Sequence, residues 1–405
     1  MDKRSFHYLW IGQSFANFGD VMYTVSVIQL IYMFTHSAFY MSLIPFLITG
    51  SMFCSGMMTP LLIDRFSLKF LLAYSQTCKT LLILCMGFGS QLGVFFIFSV
   101  VAFIGLLDGC AIPCRNALIP HYVPEHRLVK ANSLLATLDQ FIRLGGWPLG
   151  SLLVTQWSSP LESLWVICFL YVLASIGMFL LQSVKVEKAE HVKKMAQSLS
   201  EGWTMVWHTP FLRTIALMDI LENIAAVVWI AAIIYIYVED VLGVSQQWWG
   251  YINGLFFGGL MLGGLFCLKN EKLIEKHLSL FLMIGIFSTL FVDFVYGIIS
   301  SLIIALSLSG IMGLFGQMKD ISQQVVIQMK IDKNKLPKVY SVQNTLITGT
   351  FGVSTVILGY LTDLVGVRQI FLLASTLMLC VFIIFYKHRQ FFTLPSEADK
   401  ERDIN

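Results

Sequence analysis

Acidic and amide side chains interrupt two segments that are otherwise strongly apolar. Asn17 and Asp20 lie in the first of them, and Asp219, Glu222 and Asn223 lie in a later one. An ionisable group inside a membrane helix costs at least about 2.5 kcal/mol on insertion scales, so each needs a partner or a function. Asp219 and Glu222 fall on one helix face, where repulsion favours protonation of one of them. We therefore expect these residues to carry protons or bind a cationic group, the alternative being solvated polar residues near a helix end.

Four more charged residues lie within apolar segments, and their positions predict ion pairs. Asp139 and Arg143 are spaced i,i+4 on one helix, so an intrahelical pair would neutralise both. Lys79 and Asp108 lie on consecutive helices at similar depths, about 14 and about 10 Å from the cytoplasmic face at the helical rise. We expect Lys79 to be a structural charge that Asp108 holds in place.

Motifs for enzymatic chemistry are absent from the sequence. There is no Gly-x-x-x-x-Gly-Lys-Ser/Thr nucleotide loop, no His-Glu-x-x-His and no Gly-x-Ser-x-Gly. The eight cysteines fall within or beside apolar segments and are typical of small hydrophobic residues, not of disulfides. Cys110 and Cys114 share a helix face, but no histidine or third thiol accompanies them. The sequence predicts neither an enzyme nor a metal site nor a cofactor.

Long apolar helices are the elements that would position these residues. Hydrophobic residues make up 57% of the chain and charged residues 13%, against about 25% charged in an average soluble domain. A helix that spans the hydrocarbon of a bilayer needs about 20 mostly apolar residues. Twelve runs meet this requirement: 8–34, 40–63, 70–88, 93–114, 133–156, 163–184, 213–237, 247–268, 277–297, 299–318, 341–361 and 367–386. The sequence therefore predicts an all-α membrane protein with twelve transmembrane helices.

Lysine and arginine are distributed unevenly between the predicted loops. With a cytoplasmic amino terminus, nearly all of them fall on the cytoplasmic side, including Lys319 at the end of the tenth span. Arg368 alone falls outside, and Lys79 and Arg143 lie within the membrane. Because cytoplasmic loops carry the excess of positive charge, we expect a cell-membrane protein with both termini in the cytoplasm. The formal charge of +3 gives no indication of a nucleic-acid partner.

The chain divides into two similar halves. At a constant offset, Gly105 matches Gly313 and Lys130 matches Lys338, which is the weak self-similarity of duplicated transporters. We expect a six-helix bundle over 1–184, a polar cytoplasmic linker over 185–212, a second six-helix bundle over 213–390 and a cytoplasmic tail over 391–405. A short surface helix is predicted within the linker, over 198–207.

Two stretches resemble the major facilitator superfamily. The loop with Asp64, Arg65 and Lys69 is similar to the Asp-Arg loop after the second helix of that family, and the Leu-Trp-Ile-Gly-Gln of 9–13 with the later Gly-Asp resembles its macrolide-efflux branch. Residues 109–150 share the glycine and proline pattern of that branch. The resemblance implies the two-bundle major facilitator fold, with Asp20 facing the cavity. It also implies that Asp64, Arg65 and Arg115 form a conformational latch at the cytoplasmic ends of helices.

The function that the resemblance implies is proton-coupled export of a hydrophobic or amphipathic small molecule by alternating access. A proton-coupled uptake symporter has the same topology and is the first alternative. A receptor that does not transport is the second. The expected partners are the small-molecule substrate, protons and the lipid bilayer, with the protein acting as a monomer.

Overall fold

A computed structural model describes residues 3–35, 38–156, 160–184, 195–229, 231–245 and 247–393. The described chain is built from α-helices joined by short turns. The helices are α1 (Lys3–Thr35), α2 (Ala38–Arg65), α3 (Leu68–Gly89), α4 (Val94–Tyr122), α5 (Leu128–Gln156), α6 (Pro160–Phe179), α7 (Met195–His208), α8 (Pro210–Ala226), α9 (Ala231–Ile236), α10 (Gln247–Lys269), α11 (Glu271–Lys276), α12 (Leu278–Ile298), α13 (Leu302–Lys330), α14 (Leu336–Val365) and α15 (Val367–Lys387).

The apolar helices account for the membrane-spanning part of the fold. Within the described ranges, ten helices are long and apolar enough to cross a membrane, and the segments Pro210–Trp229 and Ile233–Val241, bent by 46°, make an eleventh when counted as one span. The more polar α5 is also long enough, which makes twelve. Only helices and closed barrels satisfy every backbone polar group in lipid, so this arrangement follows from the composition. The all-α, twelve-helix expectation is confirmed.

Two helices continue beyond the ends that their apolar runs predict. The tenth span was expected over 299–318, whereas α13 reaches Lys330. The placement of Lys319 in a cytoplasmic loop is therefore wrong, because this residue lies within α13 and is buried. In the same way α4 extends to Tyr122 and includes Arg115. Lys319 is paired with Glu222, and Arg115 lines a polar cavity, so neither charge lies against lipid without a polar environment.

The predicted linker contains one described helix. The helix α7 covers the segment 198–207 that the sequence predicts as helical. Residues 185–194 of the linker and 394–405 of the tail lie outside the described residues. Gly202 of α7 packs against Lys338 and Val342 of α14.

The chain forms two compact units. Unit 1 comprises Met1–Glu125, Thr137–Leu212 and Asp332–Ile357, and unit 2 comprises His126–Ala136, Arg213–Ile331 and Leu358–Asn405. The first turns of α5 thus belong to unit 2, and most of α14 belongs to unit 1. The division into bundles at 1–184 and 213–390 remains a sequence prediction.

Close helix contacts in each unit depend on glycine. In unit 1, a Cβ at Gly109 of α4 would lie 2.9 Å from the Met52 Cα atom of α2. In unit 2, a Cβ at Gly259 of α10 would overlap the Gly310 carbonyl of α13, and one at Gly313 would overlap the Phe256 carbonyl. Small residues let helix backbones approach closely in a membrane, where dispersion contacts contribute to association.

Candidate functional site

A polar cavity of about 360 Å³ lies within unit 1. Its wall includes side chains from α1 to α5, both apolar and ionisable. The ionisable and amide residues are Gln13, Asn17, Asp20, Gln76, Lys79, Asp108, Arg115, Asp139 and Arg143. Ile48, Met52, Ile104, Ile112 and Ile142 are among its apolar residues. Such a mixture suits a ligand with both an apolar body and a polar group.

Three charged groups meet at one side of this cavity, and we call Asp20, Lys79 and Asp108 the acid–lysine trio. The Lys79 Nζ atom lies 2.5 Å from Asp20 Oδ1 and 2.8 Å from Asp108 Oδ1. Its side chain is 2% exposed, whereas those of Asp20 and Asp108 are 36% and 24% exposed. The structure thus brings Lys79 and Asp108 together and adds Asp20, which the sequence did not connect with them.

Tyr171 of α6 completes the surroundings of Asp20. Its hydroxyl donates to Asp20 Oδ1 at 2.5 Å, and its ring lies 4.8 Å from Lys79 Nζ. Gly19 makes this approach possible, because a Cβ at that position would lie 2.6 Å from the tyrosine ring. The Gly-Asp sequence in α1 therefore combines a carboxylate with the space for its hydrogen-bond donor.

The acid–lysine trio carries an odd number of charges. Two ionised carboxylates and one ammonium leave one negative charge without a counter-charge inside the trio. A charge in a poorly solvated site is costly unless it is paired. One proton or one ligand cation would neutralise the group, and Asp20 is its most exposed member. Over the whole cavity wall, the acids Asp20, Asp108 and Asp139 are matched in number by Lys79, Arg115 and Arg143. The excess negative charge is therefore local to the trio, where Asp20 presents a carboxylate to a proton or a cationic group.

Asp139 contacts a different partner from the one its spacing predicts. Its Oδ1 atom accepts a hydrogen bond from the Asn17 amide of α1, and Gln13 donates to Asn17 at 2.5 Å. No ion pair joins Asp139 to Arg143 in the described structure, although both line the cavity. The intrahelical pair is wrong because Asp139 is engaged across helices, while the Arg143 side chain is exposed.

The second set of predicted acids lies in unit 2. Glu222 forms an ion pair with Lys319 of α13, and Asp219 accepts a hydrogen bond from Gln323 at 2.8 Å. The Lys319 Nζ atom also lies 3.1 Å from Oδ1 of the adjacent Asp320. Asn223 donates to the backbone carbonyl of Asp219 at 2.7 Å. Each of the two carboxylates thus has a partner on α13 that the sequence did not predict. Their role in carrying protons or binding a cationic group stays a prediction.

The three predicted latch residues are separated. Asp64 lies 2.7 Å from Lys338 Nζ of α14, which also contacts Glu201 of α7 at 2.8 Å. Arg65 is exposed and lines an apolar groove. Arg115 lines the polar cavity, and its Nε–H donates a hydrogen bond to the Asn116 side-chain oxygen. The structure does not bring the three residues together, and Lys338, the partner of Asp64, is also the partner of Glu201. Their role as a conformational latch stays a prediction.

The sequence matches the family profile of the Major Facilitator Superfamily over residues 9–349. The chain belongs to this family.

Other members of the superfamily align with almost the whole chain. An uncharacterized MFS-type transporter of Bacillus subtilis, YfmI, is 27% identical, with 96% of this chain and 97% of the relative covered. Macrolide efflux protein A of Streptococcus pyogenes is 23% identical over 94% of this chain and 95% of its own. A variant of the Escherichia coli fucose:proton symporter has a similar fold, with a TM-score of 0.75 and 14% identity over 96% of this chain and 98% of that structure.

Membership in the major facilitator superfamily makes this chain a multi-pass transporter that binds a small molecule, not an enzyme. No cluster of three or more potential metal-ligating side chains occurs in the part of the chain that the structure describes. Cys110 and Cys114 are buried free thiols.

Several functional candidates of this facilitator escaped the sequence reasoning. Tyr171 and Gln323 are ordinary residues of apolar helices, and Lys319 and Lys338 resemble loop cations. Asp293 of α12 had a detectable signal, since a lone acid in an apolar run is unusual. It is 1% exposed and accepts a hydrogen bond from the Trp229 indole at 3.1 Å.

Proposed function

We propose that this protein exports an amphipathic small molecule across the cell membrane in exchange for protons. The proposal places both termini in the cytoplasm, as the charge distribution predicts. One observation carries it: a buried lysine bridges two carboxylates in the wall of a cavity, and the group has one negative charge in excess.

The coupling step would take place at Asp20. A proton on the Asp20 carboxyl would neutralise the trio. It would also weaken the contact between Asp20 and Lys79, while Lys79 would remain paired with Asp108. A cationic substrate group near Asp20 would satisfy the same charge deficit. Proton and substrate would therefore compete for one site, which is the basis of exchange, and rocking of the two bundles would expose that site alternately on either side.

Two observations support an amphipathic substrate that leaves the cell. The cavity combines isoleucine and methionine side chains with ionisable groups. Macrolide efflux protein A, whose name gives both a substrate class and a direction, aligns with nearly the entire chain. Exchange of protons for an amphipathic drug is the function that these features favour.

Everted membrane vesicles provide the test of direction and coupling. A pH gradient, acidic inside, should drive accumulation of a fluorescent amphipathic cation or a radiolabelled macrolide in vesicles that contain the protein. Asp20→Asn should reduce accumulation to the level of vesicles without the protein. Asp363→Asn, which removes an exposed acid of α14 outside the cavity, should behave like the parent.

The outcomes separate the alternatives. Accumulation without any dependence on the gradient would rule out proton coupling. Uptake into right-side-out vesicles driven by an acidic exterior would favour the symporter instead. Binding without transport in either orientation would favour a receptor.

A further inference from the structure

A second concavity lies on the outer side of α2, α3 and α4 in unit 1. This groove has a volume of about 890 Å³, and its wall is almost entirely apolar, with Met58, Leu62, Tyr74, Leu81 and Phe103 among its residues. Several of these side chains are exposed, as expected of a surface that contacts lipid. The polar cavity uses other faces of the same helices, such as those of Gln76 and Lys79.

The length of the groove matches one leaflet of a bilayer. Along α3 the groove extends from Leu71 to Leu82, which corresponds to about 16 Å at the rise of an α-helix. The hydrocarbon core of a bilayer is about 30 Å thick, so one leaflet contributes about half of that thickness. A single acyl chain could lie along the whole groove.

A positive charge closes one end of the groove. Arg65, in the last turn of α2, is the charged residue of its lining. No ion pair of Arg65 occurs in the described ranges, and the neighbouring Asp64 is engaged by Lys338. Lys69 adds another cation nearby in the chain, in the first turn of α3. A positive charge at the membrane surface attracts anionic headgroups, with about 1 kcal/mol for each lysine or arginine.

We propose that this groove binds one anionic phospholipid. One acyl chain lies between α2, α3 and α4, and the phosphate contacts the Arg65 guanidinium. Arginine suits this role because its planar donors match a phosphate in a bidentate contact. The site is separate from the transport cavity and does not depend on the substrate or the coupling ion.

Native mass spectrometry of the full-length protein in mild detergent tests the assignment. Phosphatidylglycerol and phosphatidylcholine with identical acyl chains are titrated separately, and glycerol 3-phosphate is added as a headgroup without chains. We expect phosphatidylglycerol to bind more tightly, and Arg65→Gln to weaken its binding about fivefold, as loss of one surface cation predicts. Arg213→Gln, which removes an exposed arginine outside the groove, is the matched control.

A pair of cysteine substitutions tests the acyl-chain part. Cys78 and Cys85 are both exposed on α3, but only Cys78 lines the groove. Cys78→Trp should displace the lipid, and Cys85→Trp should not. Leu81→Trp gives a second obstruction if Cys78→Trp does not fold, as judged by its melting temperature.

Three results would overturn the proposal. Equal loss in Arg65→Gln and Arg213→Gln would indicate general electrostatic attraction. Loss in Arg65→Gln together with unchanged binding in both groove-filling variants would place the headgroup at the loop without a chain in the groove. Displacement of the lipid by glycerol 3-phosphate at similar concentrations would indicate a site for free phosphate.

Discussion

Lys79 holds together the charged side chains in the polar cavity of unit 1. It is almost completely buried, and its ammonium group contacts two carboxylates from two other helices. Removing one partner of a buried ion pair leaves an uncompensated charge, which is more costly than removing the whole pair. The trio therefore contributes to folding as well as to the proposed coupling.

Lys79→Met should lower stability strongly, by about 3 to 5 kcal/mol, because two carboxylates lose their shared counter-charge. Lys79→Met combined with Asp108→Asn should recover part of the loss. The melting temperature of the purified protein in detergent measures both effects. Lys335→Met, at an exposed lysine, is the control and should change little. A double variant that is less stable than Lys79→Met would contradict the pairing.

Asp293 differs from the trio because no cation is paired with it in the described structure. One of its oxygens accepts the Trp229 indole N–H, and the other has no hydrogen-bond partner there. A neutral amide of the same shape can keep the bond to the indole. We expect Asp293→Asn to melt within a few degrees of the parent, whereas Asp293→Ala should melt clearly lower. Strong destabilisation by the asparagine would indicate an essential charge.

The sequence identified most ionisable residues of the cavity but, among their contacts, only that of Lys79 with Asp108. Helical rise gives the depth of Asp20, Lys79 and Asp108, whereas contact also depends on the rotation of each helix and on which helices are neighbours. Tyr171 lies far along the chain from Asp20, and nothing local distinguishes it from other aromatic residues. The incorrect Asp139–Arg143 pair arose because spacing within a helix cannot reveal Asn17 as a competing partner.

The helices show why apolar runs underestimate some spans. Lys319 ends the apolar run of α13, yet the helix continues because Glu222 on α8 neutralises the lysine. Hydropathy assigns a fixed cost to each charge and contains no information about partners. The other apolar runs each overlap helical structure along most of their length, although several contain a charged residue.

Gly259 and Gly258 provide a direct test of the contact between α10 and α13. A Cβ at Gly259 would overlap backbone atoms of Gly310, whereas a Cβ at Gly258 meets open space. Gly259→Ala should therefore cost about 1 to 3 kcal/mol through overpacking. Gly258→Ala should be neutral or stabilising, because alanine favours helix. Thermal unfolding in detergent compares the two, and equal effects would contradict the close approach.

The properties of the whole molecule, its membrane class and its number of helices, were easier to predict than contacts between residues. Composition, run length and loop charge indicate a twelve-helix membrane protein, and short motifs indicated the superfamily that the profile match established. The ion pairs of Asp64 were harder to predict because they depend on distant parts of the chain. Lys338 and Glu201 come from α14 and α7, and only the folded structure brings them to Asp64.

A charge exchange tests whether the contact between Asp64 and Lys338 matters for transport. Asp64→Lys and Lys338→Asp should each slow transport in vesicles, because like charges then face each other. The double variant should recover part of the rate, since it restores an opposite pair with reversed sign, whereas Glu201 loses its cationic partner. Lys335→Asp in the same segment serves as the control. A double variant slower than both single variants would indicate that the pair does not act as a unit.

Proton coupling at Asp20 is the central claim, and purified protein in liposomes tests it most directly. Gradient-driven transport and substrate counterflow are measured side by side for the parent and Asp20→Asn, with a macrolide as substrate. We predict that Asp20→Asn loses gradient-driven transport and keeps counterflow only at raised macrolide concentrations, because exchange of substrate for substrate needs no proton, whereas loss of the carboxylate weakens binding of the substrate cation. Gradient-driven transport by Asp20→Asn at the parent rate would contradict the account.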